Sequence, residues 1–250
     1  ASGLLVLCFG EATKFSGELL QAGKRYIARL RLGERTSTGD AEGEVLERRP
    51  VSVTREQIAR SLERFRGEIT QVPPMYSALK RAGRPLYEYA RKGITIERAA
   101  RKVTISALEL EDLAGDEATL SVSCSKGTYV RTLAEDIGEA LGSGAHLVGL
   151  VRTAVGAFRL EQACRIEDIE ELSVSKRSGL LLPVDVLVQD LPRAQLSGRL
   201  ESAFLNGRSV GPVQGPAGRV RVYGTGERFL GLALVDESGG AHPKRLLAVS

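Results

Sequence analysis

The stretch at residues 125–132 constrains the fold most, because it begins a helix and places a cation at the helix end that favours anions. Apolar residues recur three and four positions apart from here on, at Val130, Leu133, Ile137 and Leu141. This spacing predicts an amphipathic helix that starts just after Gly127. We expect Arg131, in its first turn, to pair with a carboxylate or a phosphate. The alternative is an exposed arginine that reaches solvent.

Composition is typical of a soluble globular protein with one large or two smaller domains. Of the 250 residues, 42% are hydrophobic. No apolar run approaches the roughly 20 residues that cross a bilayer, so we expect a cytoplasmic protein with no membrane partner. The three cysteines, Cys8, Cys124 and Cys164, are widely scattered and are interpreted as buried thiols rather than disulfides or zinc ligands. With only two histidines, a histidine triad or metal centre has few candidate parts.

A basic segment at residues 74–102 stands out from the rest of the chain. It contains eight cations and two glutamates, a net charge of +6, whereas the whole chain carries +4. Half of the six tyrosines lie in the same segment, at Tyr76, Tyr87 and Tyr89. Cations interleaved with aromatic rings favour binding to a polyanion, with the rings stacked on bases. The alternative is a solvated surface whose tyrosines lie in the core.

The remaining pattern predicts an α+β chain rather than strict βαβ repetition. Strands are expected at residues 4–9, 24–32, 103–110 and 119–124. Thr54 followed by Gln57 forms a capping box, which predicts a helix from there to about Phe65. Beyond Pro183, short apolar runs broken by turn residues predict a small barrel or sandwich, with a domain boundary near Asp190.

Six motifs follow one another along nearly the whole chain. They are Gly10-Glu11-Ala12-Thr13-Lys14, Lys24-Arg25-Tyr26, Pro74-Met75-Tyr76-Ser77-Ala78-Leu79-Lys80, Ser125-Lys126-Gly127-Thr128-Tyr129-Val130-Arg131-Thr132, Gly144-Ala145-His146-Leu147 and Leu205-Asn206-Gly207. Together they resemble the bacterial TruB type of tRNA uridine-55 pseudouridine synthase. The resemblance implies a catalytic domain with a mixed, largely antiparallel sheet over residues 1–189. It also implies a small β-barrel PUA domain, which binds RNA, over residues 190–250.

The same resemblance implies chemistry without a cofactor or a metal. Uridine becomes pseudouridine when the N1–C1′ bond breaks, the uracil turns and C5 joins C1′. Tyr26 would stack on the flipped base and assist proton transfer, unless it is an ordinary strand tyrosine. Arg131 would keep a nucleophilic aspartate ionised, and Asp40 would be either a second partner of Arg131 or a plain turn residue.

Further residues are expected to contact the substrate, which would be the T arm of tRNA. Tyr129 and Leu150 match positions that line the active site, although Leu150 could equally belong to the core. Lys126 could meet a phosphate or solvent. Residues 74–102 would be the insertion that clasps the T arm. The contacts expected from this insertion are Tyr76, Lys80 and Arg84.

The sequence departs from the family at the catalytic aspartate. That residue belongs to a Leu-Asp-Pro-Leu-Ala-Thr-Gly motif, of which only Ala1-Ser2-Gly3 is present. We therefore expect the nucleophile to lie upstream of this sequence. The predicted function is that of a monomeric tRNA-modifying isomerase. The alternative is a non-catalytic tRNA-binding or RNA-folding protein of the same fold.

Overall fold

The computed structural model describes residues 1–248, and the chain divides into two units. The first unit contains residues 1–5 and 22–163, and the second contains residues 6–21 together with the chain from residue 164 onward. Within the described residues, no helix is long and apolar enough to cross a membrane. Residues 249 and 250 of the predicted second domain lie outside the described residues.

The strands are numbered in chain order. They are β1 (Ser2–Gly3), β2 (Lys24–Leu32), β3 (Glu34–Thr36), β4 (Val45–Arg48), β5 (Gly67–Gln71), β6 (Lys80–Arg81), β7 (Arg84–Pro85), β8 (Arg101–Ala114), β9 (Glu117–Cys124), β10 (Ala145–Val155), β11 (Phe158–Arg159), β12 (Arg193–Gln195), β13 (Gly218–Tyr223), β14 (Phe229–Val235) and β15 (Ala241–Leu246).

The α-helices are α1 (Ser16–Gln21), α2 (Arg55–Leu62), α3 (Leu86–Ala90), α4 (Val130–Ala140), α5 (Ile166–Glu170), α6 (Val174–Ser178) and α7 (Gly198–Leu205). Short 3₁₀ turns occur at Gly10–Phe15, Glu63–Phe65, Leu160–Gln162, Val184–Val188 and Thr225–Glu227.

A seven-stranded sheet forms the frame of the first unit, in the order β1-β10-β2-β9-β8-β5 with β11 paired to β10. β1 runs parallel to β10, and the other neighbours are antiparallel. The sheet is therefore mixed and largely antiparallel, as predicted. The small hairpins β3–β4 and β6–β7 lie outside it.

One face of this sheet carries the core of the first unit. Along β2, the residues Ala28, Leu30 and Leu32 are buried, whereas the intervening arginines are exposed. This period of two is why the predicted strand at residues 24–32 is confirmed. Helix α4 packs on the same core through apolar residues at helical spacing. Gly138 of α4 permits close approach to β10, because a Cβ there would lie 2.2 Å from the Ala145 nitrogen.

The start of helix α2 also follows the sequence. The Thr54 side chain accepts a hydrogen bond from the Gln57 backbone N–H, and the Gln57 side chain accepts one from the Thr54 N–H. This is the predicted capping box. The helix ends at Leu62 and continues as a 3₁₀ turn to Phe65, so its predicted extent is confirmed.

The predicted strand at residues 4–9 is wrong. Only Ser2–Gly3 pairs with β10, and Leu5 and Phe9 are largely exposed. Gly3 has a φ of +91°, a conformation that ends the extended ladder. A continuous apolar run alone thus misled the prediction, because it cannot detect a backbone turn at one glycine.

The interpretation of the cysteines as buried thiols holds for one of the three. Cys124 is buried on β9, Cys8 is half-buried and Cys164 is exposed. All three are free thiols, so the structure contains no disulfide within residues 1–248.

The second unit contains a four-stranded sheet in the order β12-β13-β14-β15. β12 is parallel to β13, and the other pairs are antiparallel. Helix α7 covers this sheet, with Phe204 fully buried against Val220, Val222 and Leu230. The predicted domain boundary near residue 190 stays a prediction.

The capping box of α2 gives a direct test of the first unit. Thr54→Ala removes the acceptor for the Gln57 N–H and is expected to lower the free energy of unfolding by about 1 kcal/mol. Gln57→Ala removes only the reciprocal bond and should cost less. Chemical denaturation of both variants measures the difference. Equal stability of Thr54→Ala and the unaltered protein would contradict the capping role.

Candidate active site

The candidate active site centres on Arg131 in the first turn of α4. Its Nη1 atom donates a hydrogen bond to Oδ2 of Asp40 at 2.8 Å and lies 3.4 Å from the Thr38 carbonyl oxygen. Its Nη2 atom donates to the carbonyl oxygen of Tyr76. The side chains of Arg131 and Asp40 are each 23% exposed, so the ion pair is partly shielded from water. Arg131 therefore has the carboxylate partner expected for a cation at a helix N-terminus.

Asp40 lies in the turn between β3 and β4, and local hydrogen bonds fix its side chain. Its Oδ1 atom accepts hydrogen bonds from the Thr38 hydroxyl and from the Glu42 backbone N–H. The buried Thr36 hydroxyl donates to the Asp40 carbonyl oxygen at 2.7 Å. Asp40 is thus both a turn residue and a partner of Arg131, which combines the two interpretations of the sequence.

The Asp40 turn is also joined to β10. Gly39 and Ala41 exchange backbone hydrogen bonds with Leu147, each 3.0 Å long. The Glu135 carboxyl packs against the turn at Gly39. A Cβ at Gly39 would lie only 2.9 Å from the carboxyl carbon of Glu135, so a larger residue would not fit there. Burial raises the pKa of Glu135, and the nearby Arg35 guanidinium opposes that shift. Nothing in the sequence distinguishes Glu135 from the other polar residues of this amphipathic helix.

A buried glutamine holds the start of α4. The N-cap residue Tyr129 provides no side-chain cap. Its backbone N–H instead donates to Oε1 of Gln71 at 3.1 Å, and Nε2 of Gln71 donates to the Tyr129 carbonyl at 3.3 Å. Gln71 is 2% exposed and is the last residue of β5. The sequence contains no local signal for this contact, since the two residues are 58 positions apart.

A cleft of about 470 Å³ opens beside this ion pair. The Asp40 turn and Arg131 form one side of it. The basic segment contributes the other lining side chains, Tyr76, Ser77, Ala78, Tyr87 and Arg91. The structure thus brings Tyr76 to Arg131 and Asp40, and it leaves room for a ligand between them.

Lys80 and Arg84 lie away from the cleft lining, on the exposed β6–β7 hairpin. The turn of this hairpin uses Ala82 and Gly83, both with positive φ, at 48° and 80°. Two successive residues of this kind form the tight turn that suits a hairpin. The basic segment therefore contains a hairpin followed by the short helix α3.

Tyr26 lies on β2, half-buried against the main core and directly opposite Arg152 of β10. Burial raises the pKa of its hydroxyl, the Cys124 thiol raises it further, and the Arg152 guanidinium acts in the opposite direction. Within residues 1–248, no hydrogen bond or ion pair joins Tyr26 to Arg131 or Asp40. The structure therefore brings Arg131, Asp40 and Tyr76 together and leaves Tyr26 as a separate element.

The other residues expected to contact the substrate lie on β10 and at the start of α4. Leu150 is half-buried on β10 and packs against the main core, as its core alternative requires. Tyr129 is the N-cap residue of α4, and Lys126 is exposed in the turn before it. Across the described part of the chain, no cluster of three or more His, Cys, Asp or Glu residues could hold a metal ion. The functional roles of all these side chains stay predictions.

Comparison with known families gives matches along almost the whole chain. A model described as TruB family pseudouridylate synthase (N terminal domain) matches residues 1–130. The tRNA pseudouridylate synthase B C-terminal domain matches residues 131–189. A third model, Pseudouridine synthase II TruB, C-terminal, matches residues 192–247.

Curated relatives are similar to this chain over nearly its whole length. A protein of Ralstonia nicotianae named tRNA pseudouridine synthase B is 55% identical, covering 99% of this chain and 82% of the relative. Proteins of the same name from Burkholderia mallei and Cupriavidus metallidurans are 53% and 52% identical, each over 99% of this chain and over 84% and 82% of the relative.

Solved structures share the fold at lower identity. A chain of a Cbf5-Nop10-Gar1 complex matches with a TM-score of 0.72 and 22% identity, covering 95% of this chain and 70% of that one. A chain of an H/ACA RNP bound to a substrate RNA containing 2′-deoxyuridine matches with a TM-score of 0.70 and 20% identity, covering 96% and 71%.

The Gln71 contact predicts a measurable contribution to stability. Gln71→Met keeps the approximate volume but leaves the Tyr129 backbone groups without their partner, so we expect a loss of about 1–3 kcal/mol in the free energy of unfolding. Thr70→Met, at the exposed neighbouring position of β5, is the matched control and should change stability little. Denaturant titration of both variants tests this. Similar losses at the two positions would contradict the role of Gln71.

Proposed function

The chain belongs to the TruB family of pseudouridylate synthases, and we propose that it isomerises uridine 55 in the T arm of tRNA to pseudouridine. The enzyme is an isomerase of tRNA. The observation that carries the proposal is the Arg131–Asp40 pair in a cleft lined by the basic segment, on a chain 55% identical to a tRNA pseudouridine synthase B over 99% of its length.

The reaction requires no added atoms. The N1–C1′ bond of uridine breaks and a C5–C1′ bond forms, while a proton leaves C5 and one is gained at N1. In the proposed mechanism, an aspartate that the family resemblance places upstream of Ala1 attacks C1′ after the base has left its stack, and the N1–C1′ bond breaks. The aspartate is released again when C5 bonds to C1′. Arg131 stabilises that aspartate in its ionised form, because a nearby guanidinium favours the carboxylate. Asp40 orients Arg131 through the 2.8 Å ion pair.

The direction of β1 supports an upstream nucleophile near Arg131. Ser2 pairs with Val151 in a parallel ladder, so a chain that continues this strand backwards passes Leu150. Further along β10 lies Leu147, which is hydrogen bonded to the Asp40 turn. A segment that precedes β1 and stays paired with β10 would therefore approach the Asp40 turn, which holds Arg131.

Tyr26 is proposed to stack on the flipped uracil. It lies opposite Arg152, whose other neighbour is Gly3 of β1. Adjacent strands are about 4.8 Å apart, so Tyr26 is roughly 10 Å from β1 across the sheet. An aromatic ring at this distance is close enough to contact a base whose sugar lies beside the N-terminal strand. Stacking would offset part of the cost of unstacking, which is a few kcal/mol.

We propose that the basic segment grips the T arm. Lys80 and Arg84 are exposed on the hairpin, whose net charge and tyrosines suit phosphate contacts and stacking. Tyr129, Lys126 and Leu150 are proposed to line the path of the substrate near α4.

The C-terminal residues are proposed to form a PUA-type barrel that binds RNA, with a domain boundary near residue 190. Two family models divide there, one ending at residue 189 and the next beginning at 192. The segment at residues 210–214 supports partial closure of the four-stranded sheet. Val210 bridges to Ala241 at β15, and Gln214 bridges to Gln195 of β12 at the opposite edge.

Substitution of Arg131 tests the catalytic assignment. In the full-length protein, Arg131→Lys keeps the charge but loses the planar fork that contacts Asp40 and Tyr76. We expect pseudouridine formation on a T-arm stem-loop to fall by about a hundredfold or more, with little change in RNA affinity. Arg60→Lys, on an exposed face of α2, is the control.

Three outcomes would contradict the assignment. Near-normal turnover of Arg131→Lys would remove Arg131 from the chemistry, and a parallel loss of RNA binding would make it a binding residue. A full-length protein that binds the stem-loop without turnover would support the non-catalytic RNA-binding alternative.

Salt dependence tests the RNA grip of the hairpin. Removing two phosphate contacts by Lys80→Ala with Arg84→Ala should flatten the log–log salt dependence of binding by about two units, or less if the contacted strand is unpaired. The paired control is Arg29→Ala with Arg31→Ala, which removes the same charge from the exposed face of β2. Thermal unfolding of each variant shows whether it remains folded. If the slope of the salt dependence is unchanged in the hairpin variant, Lys80 and Arg84 do not contact phosphates of the RNA.

A further inference from the structure

Arg152 of β10 occupies the position between the N-terminal strand and Tyr26. It pairs with Gly3 of β1 on one side and with Tyr26 of β2 on the other. Opposed residues of antiparallel strands project from the same face, with Cβ atoms about 4.5–5.5 Å apart. Tyr26 packs against the main core, so the Arg152 side chain lies on this same face.

A second anchor fixes the Arg152 side chain. Its Nε atom donates a 2.7 Å hydrogen bond to the carbonyl oxygen of Leu4, and the Leu4 backbone N–H donates to the Arg152 carbonyl oxygen at 2.8 Å. Leu4 is buried and directly follows β1. The guanidinium is therefore tied to the end of the N-terminal strand, on the strand position directly opposite Tyr26.

Several titratable groups surround this hydroxyl. Cys124 of β9 and Arg152 of β10 act on it directly. The same two groups, together with Lys126, act on Lys24, which lies two residues before Tyr26 on β2. Burial and the Cys124 thiol raise the pKa of Tyr26, and Arg152 lowers it by charge and by a hydrogen bond. Arg152 is the group that opposes the effect of burial on the phenol.

We infer that Arg152 is a positioning residue for the isomerisation, which orients the Tyr26 ring against the N-terminal strand. The inference rests on the proposed function, in which Tyr26 stacks on uracil. It adds a residue for which the sequence analysis gave no role.

The physical basis of the inference is that the planar Arg152 guanidinium is bonded to Leu4 while its strand position is paired with Tyr26. A guanidinium presents donors in a rigid fork, so its bond to the Leu4 carbonyl restricts where the remaining donors point. Because Arg152 pairs with Gly3 on one side and with Tyr26 on the other, those donors lie between β1 and the Tyr26 ring. An ammonium at this position would keep the charge but not the fixed direction.

Titration of Tyr26 tests the inference without RNA. The phenolate absorbance of the full-length protein minus that of Tyr26→Phe isolates this tyrosine, and fluorotyrosine incorporation brings its ionisation below the pH at which the protein unfolds. Removing the cation with Arg152→Met should raise the Tyr26 midpoint by about one unit. Arg152→Lys should give a smaller rise. Arg29→Met, on the opposite face of β2, should give none.

Kinetics provide the second readout. For Arg152→Met we expect kcat on a T-arm stem-loop to fall about a hundredfold through loss of alignment, with KM little changed. If Arg152→Met fails to fold, Arg152→Lys is measured in its place and is expected to show a smaller fall in kcat and a smaller rise in the midpoint.

A folded variant whose Tyr26 midpoint equals that of the unaltered protein overturns the inference. A raised KM with unchanged kcat also overturns it, since Arg152 would then contact RNA. Because the titration needs no turnover, an inactive protein with the expected midpoint shift would contradict the proposed function and leave the Arg152–Tyr26 contact supported.

Discussion

The guanidinium of Arg131 is the group on which the candidate active site of the first unit depends. A cation in the first turn of a helix is unfavourable unless anions or carbonyl oxygens surround it. Here the Asp40 carboxylate and the carbonyls of Thr38 and Tyr76 do so. The hydrogen bonds of the Arg131 side chain therefore connect the β3–β4 turn, the basic segment and helix α4. Gln71 completes the arrangement by holding the backbone of Tyr129.

Strand β10 supports both Arg131 and Tyr26, the two side chains with a proposed catalytic role. It pairs with β1 and β2 and exchanges hydrogen bonds with the Asp40 turn at Leu147. Helix α4 approaches it closely at Gly138. Arg131 and Tyr26 thus make no direct contact, yet each is placed relative to the same strand. A rigid frame of this kind holds the two side chains at fixed positions, as the proposed reaction requires.

The elements that could be predicted from the sequence are those coded locally. The alternation at residues 24–32, the capping box at Thr54 and the apolar spacing of α4 each determine structure within a few residues. The Arg131–Asp40 pair, 91 positions apart, was expected as one of two alternatives and only through family resemblance. Gln71 and Arg152 were missed because their partners are distant in the chain, and one glycine conformation ended the strand expected at residues 4–9.

The two ends of the segment at residues 72–100 have an evolutionary consequence. Gln71, the last residue of β5, pairs with Arg101, the first of β8, so both ends of residues 72–100 leave the sheet side by side. The entropic cost of closing a loop rises only slowly with its length, by about 0.6 kcal/mol per doubling. Residues can therefore be gained, lost or exchanged between these two points while the strand register stays intact. Lineages with differently shaped RNA substrates could remodel this module as a unit, provided that the glutamine at its first hinge is retained.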